Sequence, residues 1–176
     1  IEDIVVYTNF LHGTWDLRNI PSLSYLSLWT NFLSGSIPST IGNLTGATLL
    51  LLGDNIMTGT IPSILGTLPR LEVLALVDMA LKGTIPPEIF QIETLVGVGL
   101  GGNELSGTIP STVGYPSNNL RGLSFEKNNL TGTIPPSIGN LQNLEALSVH
   151  SNHLTGTIPT ELGDCIHLRA LEMGNN

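Results

Sequence analysis

The sequence predicts an α/β solenoid, and three observations carry that prediction. A block of about 24 residues recurs along all 176 positions. Its starts fall at Ile1, Leu23, Ala47, Leu71, Leu95, Leu120, Leu144 and Leu168, spaced by 22, 24, 24, 24, 25, 24 and 24 residues. Each block opens with alternating apolar residues, such as Leu23, Leu26 and Leu28 or Leu144, Leu147 and Val149, which suit a short strand with one buried face. An asparagine then follows at a fixed offset. A unit this short cannot bury its own apolar face, so neighbours must stack on one another. The chain therefore reads as one solenoid over residues 1–176, with seven repeats and a partial eighth from Leu168.

The elements follow in order within a repeat. The opening strands pair in parallel to line a concave face, and the residues between their apolar positions point to solvent. Asparagines at 9, 31, 55, 103, 128, 152 and 176 then form a ladder whose side chains satisfy backbone groups of the turns. Met79 replaces the asparagine in repeat four and predicts a gap there. Leu11, Leu33, Met57, Leu81, Leu105, Leu130 and Leu154 fill the next core layer. Glycines at 13, 35, 59, 83, 107, 132 and 156 permit a tight turn, and from repeat two onward an Ile-Pro pair follows. The residue before a proline is pushed toward extended backbone, so a second short sheet is expected on one flank. Prolines at 38, 62, 86, 110, 135 and 159 stop further pairing, and the rest of each repeat is expected to make a helical or 3₁₀ turn on the convex side.

Composition narrows the function. With 14 acidic residues against six Lys and Arg, the net charge is −8, which argues against nucleic acid because phosphate binding needs clustered cations. The longest apolar stretch, residues 47–52, is far short of the roughly 20 residues that cross a bilayer. Residues 1–4 show neither a basic start nor a long apolar run, so no signal peptide is read there. Cys165 is the sole cysteine; it leaves no internal disulfide or cysteine-rich zinc site, and its apolar slot reads as a buried structural thiol.

The unit LxxLxLxxNxLxGxIPxxLGxLxx resembles the plant-specific class of leucine-rich repeats, found in receptor-like kinase ectodomains and in secreted polygalacturonase-inhibiting proteins. Two details look more like the receptor kinases, particularly their innate-immunity subgroup. Residues 87–95, Pro-Glu-Ile-Phe-Gln-Ile-Glu-Thr-Leu, are similar to that group's IFNxSSL segment, and residues 115–120 resemble its LPNL insertion. Residues 162–168, around Cys165, are close to its LGNCxxL segment. The resemblance implies a right-handed superhelix and a non-catalytic, extracellular or cell-surface recognition module. It further implies a peptide or protein ligand, a possible co-receptor, a role in plant defence signalling, and no cofactor or metal. The cysteine-paired caps, membrane helix and kinase of such proteins are missing, and repeat one departs from the pattern at residues 13–16. With Ile1, Ile4 and Val6 at one end and Leu168, Leu171 and Met173 at the other left without a neighbour, an internal piece of a longer protein lacking both caps is expected.

Concave positions are the default binding surface of a curved solenoid, since the core does not need their side chains. Eight of the 14 acidic residues fall there, and in the first four repeats no Lys or Arg accompanies them. The expected ligand-binding residues are Tyr7, Tyr25 and Trp29 as anchors, with Asp54, Glu72 and Asp78 facing basic groups of an extended ligand. Glu126, Lys127 and His150 continue the same face. The competing reading is an ordinary solvated strand face. Gly97, Gly99, Gly101 and Gly102 remove side chains in repeat five, through either close ligand approach or drift.

Asn43 and Asn129 open Asn-Leu-Thr sequons that accept N-glycans in a secretory pathway, although the repeat itself favours those residues. His150 at a strand position and His153 in a turn have only Ser151 and Glu126 near them, and a solenoid surface gives no enclosed pocket, so catalysis is not expected; His12 and His167 read as surface or turn residues. An inhibitor of a cell-wall hydrolase stands as the alternative function. A minor alternative is ice binding, because threonine pairs such as Thr58 with Thr60 and Thr131 with Thr133 would form rows at strand spacing, interrupted at Lys82.

Overall fold

The computed structural model describes residues 1–13, 15, 20–115 and 119–176. Half of the irregular segment at 13–16 and half of the insertion at 115–120 therefore lie outside the described residues. Among those described, eight short strands form one parallel sheet: Asp3–Val5, Tyr25–Ser27, Leu49–Leu51, Val73–Ala75, Gly97–Gly99, Gly122–Ser124, Ala146–Ser148 and Ala170–Glu172. Their register is strict. Leu26 pairs with Leu50, Leu50 with Leu74, Leu74 with Val98, and Leu123 with both Val98 and Leu147. Like side chains thus stack in columns, and each of these six is at most 2% exposed. A slip by one residue would turn every leucine outward, which is why the apolar pattern fixes the pairing.

The flank sheet is present as a seven-stranded parallel sheet from His12–Gly13 to His153–Leu154. It starts earlier in each repeat than the Ile-Pro argument implies. Phe32–Ser36, Ile56–Thr60 and Glu104–Thr108 begin directly after the ladder asparagine and end before the Ile-Pro pair. The extended backbone is nucleated by the asparagine turn, and the proline ends it. Within these strands the glycine requirement is steric: Gly107 sits at φ 78°, and a Cβ there would stand 2.9 Å from Thr84 Cγ2 of the preceding repeat.

Convex 3₁₀ turns run at Ser39–Asn43, Ser63–Thr67, Pro87–Gln91, Pro136–Asn140 and Thr160–Asp164. Each buries one apolar residue, Ile41, Leu65, Ile89, Ile138 or Leu162, and a second three residues later. That second slot holds Leu44, Leu68, Ile92, Leu141 and then Cys165, so the lone thiol fills a leucine site. Its Sγ donates to Ile138 O at 3.2 Å. Burial pushes the thiol above its ordinary pKa, and the Asp164 carboxylate beside it adds to the shift.

The asparagine ladder forms as the spacing implies. Leu33 N–H donates to Asn55 Oδ1 at 3.0 Å, while Asn55 Nδ2 donates to Leu28 O and Leu52 O, each at 2.9 Å. Asn103, Asn128 and Asn152 repeat the arrangement, and each bridges to the repeat before it. Met79 is buried in the equivalent place and brings no amide, so the ladder is interrupted between Asn55 and Asn103.

One backbone feature is not legible in the composition of the repeats. The residue just before the ladder position is left-handed throughout: Thr8, Thr30, Asp54, Asp78, Lys127, Ser151 and Asn175 have φ between 50° and 57°, and Gly102 has 67°. The turn at the end of the concave strand demands this conformation whatever residue fills it.

Candidate ligand face

Because Glu72 precedes the strand Val73–Ala75 and Asp78 follows it, their carboxylates stand on opposite long borders of the concave sheet. Asp54 lies on the same border as Asp78, one repeat earlier. All three are exposed, and among the described residues none takes part in an ion pair. Between the borders the floor is apolar. Leu49, Leu51, Val73, Ala75 and Val77 present half-buried side chains to the concave side. The acidic residues accordingly frame an apolar floor.

The aromatic positions open this floor at its N-terminal end. Tyr25 is half-buried on its strand, and Tyr7 is 60% exposed. Trp29 lies flat enough over the next repeat that a Cβ on Gly53 would meet its Cη2 at 3.0 Å and Val77 Cγ2 at 2.8 Å. Gly53 therefore makes room for the indole, a packing role that its sequence position alone did not disclose.

Beyond Val77 the floor drops. Gly97, Gly99 and Gly122 leave a groove of about 370 Å³ that continues over Ser124, Ala146 and Ser148. Past it, Glu126 and His150 are held by neighbouring side chains. Ser124 Oγ donates to Glu126 Oε2 at 2.7 Å, and Glu126 folds over Gly101, where a Cβ would stand 2.4 Å from its Oε1. His150 Nδ1 lies 3.0 Å from Ser151 Oγ, and its Nε2 lies 3.8 Å from Glu172 Oε2. Lys127 projects from the left-handed turn beside Glu126. Across the sheet, Arg121 Nη1 meets Glu145 Oε1 at 3.0 Å, with Arg169 Nη1 at 3.9 Å from the other oxygen. Among the described residues the face is thus divided: carboxylates without ion pairs, Asp54, Glu72 and Asp78, beside aromatic and aliphatic side chains in repeats three and four, and the paired Arg121, Glu145, His150 and Glu172 in repeats six to eight.

Both sequon asparagines, Asn43 in a convex turn and Asn129 at the start of a flank strand, are exposed and off the concave face. Thr131 Oγ1 of the second sequon donates to Gly107 O at 3.2 Å. His12 and His167 are exposed.

The repeats match a family model described as Leucine Rich Repeat at residues 22–44, 119–141 and 143–165. No curated protein matches the chain. Among solved structures, the ectodomain of the Arabidopsis thaliana membrane receptor kinase GASSHO1/SCHENGEN3, in complex with CASPARIAN STRIP INTEGRITY FACTOR 2, is 32% identical with a TM-score of 0.97. The alignment covers 100% of this chain and 21% of that one. The PEPR1–AtPEP1 complex is 38% identical with a TM-score of 0.96, covering 99% of this chain and 25% of that chain. The Arabidopsis receptor kinase HAESA, bound to the peptide hormone IDA and the co-receptor SERK1, is 29% identical with a TM-score of 0.80, covering 100% and 34%. The chain therefore spans between a fifth and about a third of the length of these ectodomains. The regular strand and asparagine columns, the family match and these structural relatives agree: the chain belongs to the leucine-rich-repeat proteins and is built like the ectodomains of plant leucine-rich-repeat receptor kinases.

Proposed function

We propose that this chain is a non-catalytic recognition module of a receptor-kinase ectodomain, placed outside the cell, which holds an extended peptide or protein ligand on its concave face. The observation that carries the reading is the set of unpaired carboxylates, Asp54, Glu72 and Asp78, standing on both borders of a floor made by Tyr25, Trp29, Leu49, Leu51 and Val73. Apolar side chains of a ligand gain by burial on that floor, while carboxylates on either side attract and orient its basic residues. Similarity to the receptor kinase HAESA, solved with the peptide hormone IDA and the co-receptor SERK1, supports the same reading and suggests that a co-receptor joins the assembly. Glycans on Asn43 and Asn129 fit a secreted placement and leave this face open.

The test uses two synthetic extended peptides with the same apolar residues, one carrying lysines and the other glutamates. The lysine peptide should bind, and Asp54→Lys with Asp78→Lys should weaken it by about tenfold or more. Folding should be unaffected, because Lys127 already occupies the same left-handed turn position in repeat six at φ 52°. Unaltered affinity in the double variant, or equal binding of the two peptides, overturns the reading.

A further inference from the structure

Phe10, Phe32 and Ile56 occupy the column immediately after the ladder asparagine, on the flank of the solenoid, and they are 84%, 50% and 56% exposed. Phe10 and Phe32 stack with ring centroids 6.0 Å apart and planes 10° from parallel, and Ile56 follows in the next repeat. The fold does not require apolar residues there. Ala80, small and half-buried, follows in the same column, and after it stand Glu104, Asn129 and His153, all exposed and polar. Phe32 and Ile56 have a repeat on either side, so their exposure does not come from a chain end. Large exposed apolar side chains on three successive repeats, in a column whose second half is polar, are the mark of a surface that is covered in use.

The charges beside the ridge indicate what covers it. Asp54, two residues before Ile56, and Asp78 in the next repeat are exposed on the border that separates ridge from concave sheet, and no cation among the described residues neutralises them. A second copy of this chain would bring the same carboxylates together and carries a net charge of −8, so self-pairing is opposed. We infer that the Phe10, Phe32 and Ile56 ridge is a lateral docking surface for a second protein whose contacting patch places apolar side chains beside lysine or arginine. This surface shares the border carboxylates Asp54 and Asp78 with the concave face, but its apolar side chains are its own, so variants of the ridge and of Tyr25 and Trp29 tell the two apart.

The probes are two synthetic amphipathic helices with one leucine and phenylalanine face, bordered by lysines in the first and by glutamates in the second. Binding is followed by amide chemical shifts. The lysine-bordered helix should shift Phe32, Asp54 and Ile56, and the glutamate-bordered helix should not. Phe32→Ser with Ile56→Thr should weaken the first helix by about tenfold or more, as should the single Ile56→Lys, which sets a cation against its lysines. The double variant should leave binding of an extended lysine peptide to the concave face unchanged, whereas Tyr25→Ala with Trp29→Ala should leave the helix bound. Equal binding of the two helices, binding of neither, binding that survives both ridge variants, or shifts centred on Tyr25 and Trp29 overturns the proposal. So does dimerisation in sedimentation that Phe32→Ser with Ile56→Thr abolishes, since the ridge would then belong to a second copy.

Discussion

Asn128 shows how much of the fold rests on single amides. Its Oδ1 accepts from Leu105 N–H at 2.9 Å, and its Nδ2 donates to Leu100 O at 3.0 Å and Phe125 O at 3.1 Å, all where water cannot reach. Asn128→Ala removes the partner while leaving the backbone groups buried, so it should cost about 1–3 kcal/mol, read as a lower chemical-denaturation midpoint. Met79→Ala is the informative comparison. No ladder bond exists there to be lost, and the cost is that of a buried side chain alone. The ladder and its gap were legible in the sequence because an asparagine at a fixed offset has one physical use in stacked turns. The left-handed residue preceding it was not: Thr, Asp, Lys, Ser, Asn and Gly share the position, and only the backbone reveals that all of them take positive φ.

At the scale of the strand, register is decided by which residues face inward. Leu147 is 1% exposed and stands between Leu123 and Leu171 in the sheet register. Leu147→Ala should therefore destabilise the chain by about 2–5 kcal/mol through transfer loss and an unfilled cavity, and an unchanged melting temperature would contradict the register. By contrast, its neighbours Ala146 and Ser148 face the concave groove and can vary without touching the core. Spacing made this division readable in repeat seven, where Leu144, Leu147 and Val149 alternate with small and polar residues, whereas in repeats three and four the runs at 49–52 and 73–77 are apolar on both faces. Where the flank strands start was less readable, because Phe32, Ile56 and Glu104 share no residue type; the strand is imposed by the asparagine turn before it. The border arrangement of Asp54, Glu72 and Asp78 required the structure for a related reason. Sequence places all three on the concave side, but only strand ends tell which carboxylates stand opposite one another.

Across the whole molecule the surfaces divide by repeat and by side. The concave sheet carries the open carboxylates and aromatics in its first half, the flank carries the Phe10, Phe32 and Ile56 ridge in that same half, and the two sequons lie elsewhere. Asn43 projects from the convex turn Ser39–Asn43. Asn129 stands in the flank column beyond Glu104, in the half that the ridge leaves polar. Glycans on these residues would coat the back and the far flank while both docking faces stayed bare, a distribution that bulky, strongly hydrated groups need if ligands are to approach. Expression through a secretory pathway should yield a chain whose mass falls on treatment with an N-glycosidase, with each of Asn43→Gln and Asn129→Gln removing one step. Enzymatic removal should leave lysine-peptide affinity at the concave face and lysine-helix affinity at the ridge unchanged. An Asn129 that stays bare would point to the strand geometry around Thr131, whose hydroxyl is already engaged with Gly107 O, as what keeps the sequon from the transferring enzyme. A gain in either affinity on deglycosylation would instead place a glycan over a face assigned here to binding, and would remove the division of surfaces on which both docking sites rest.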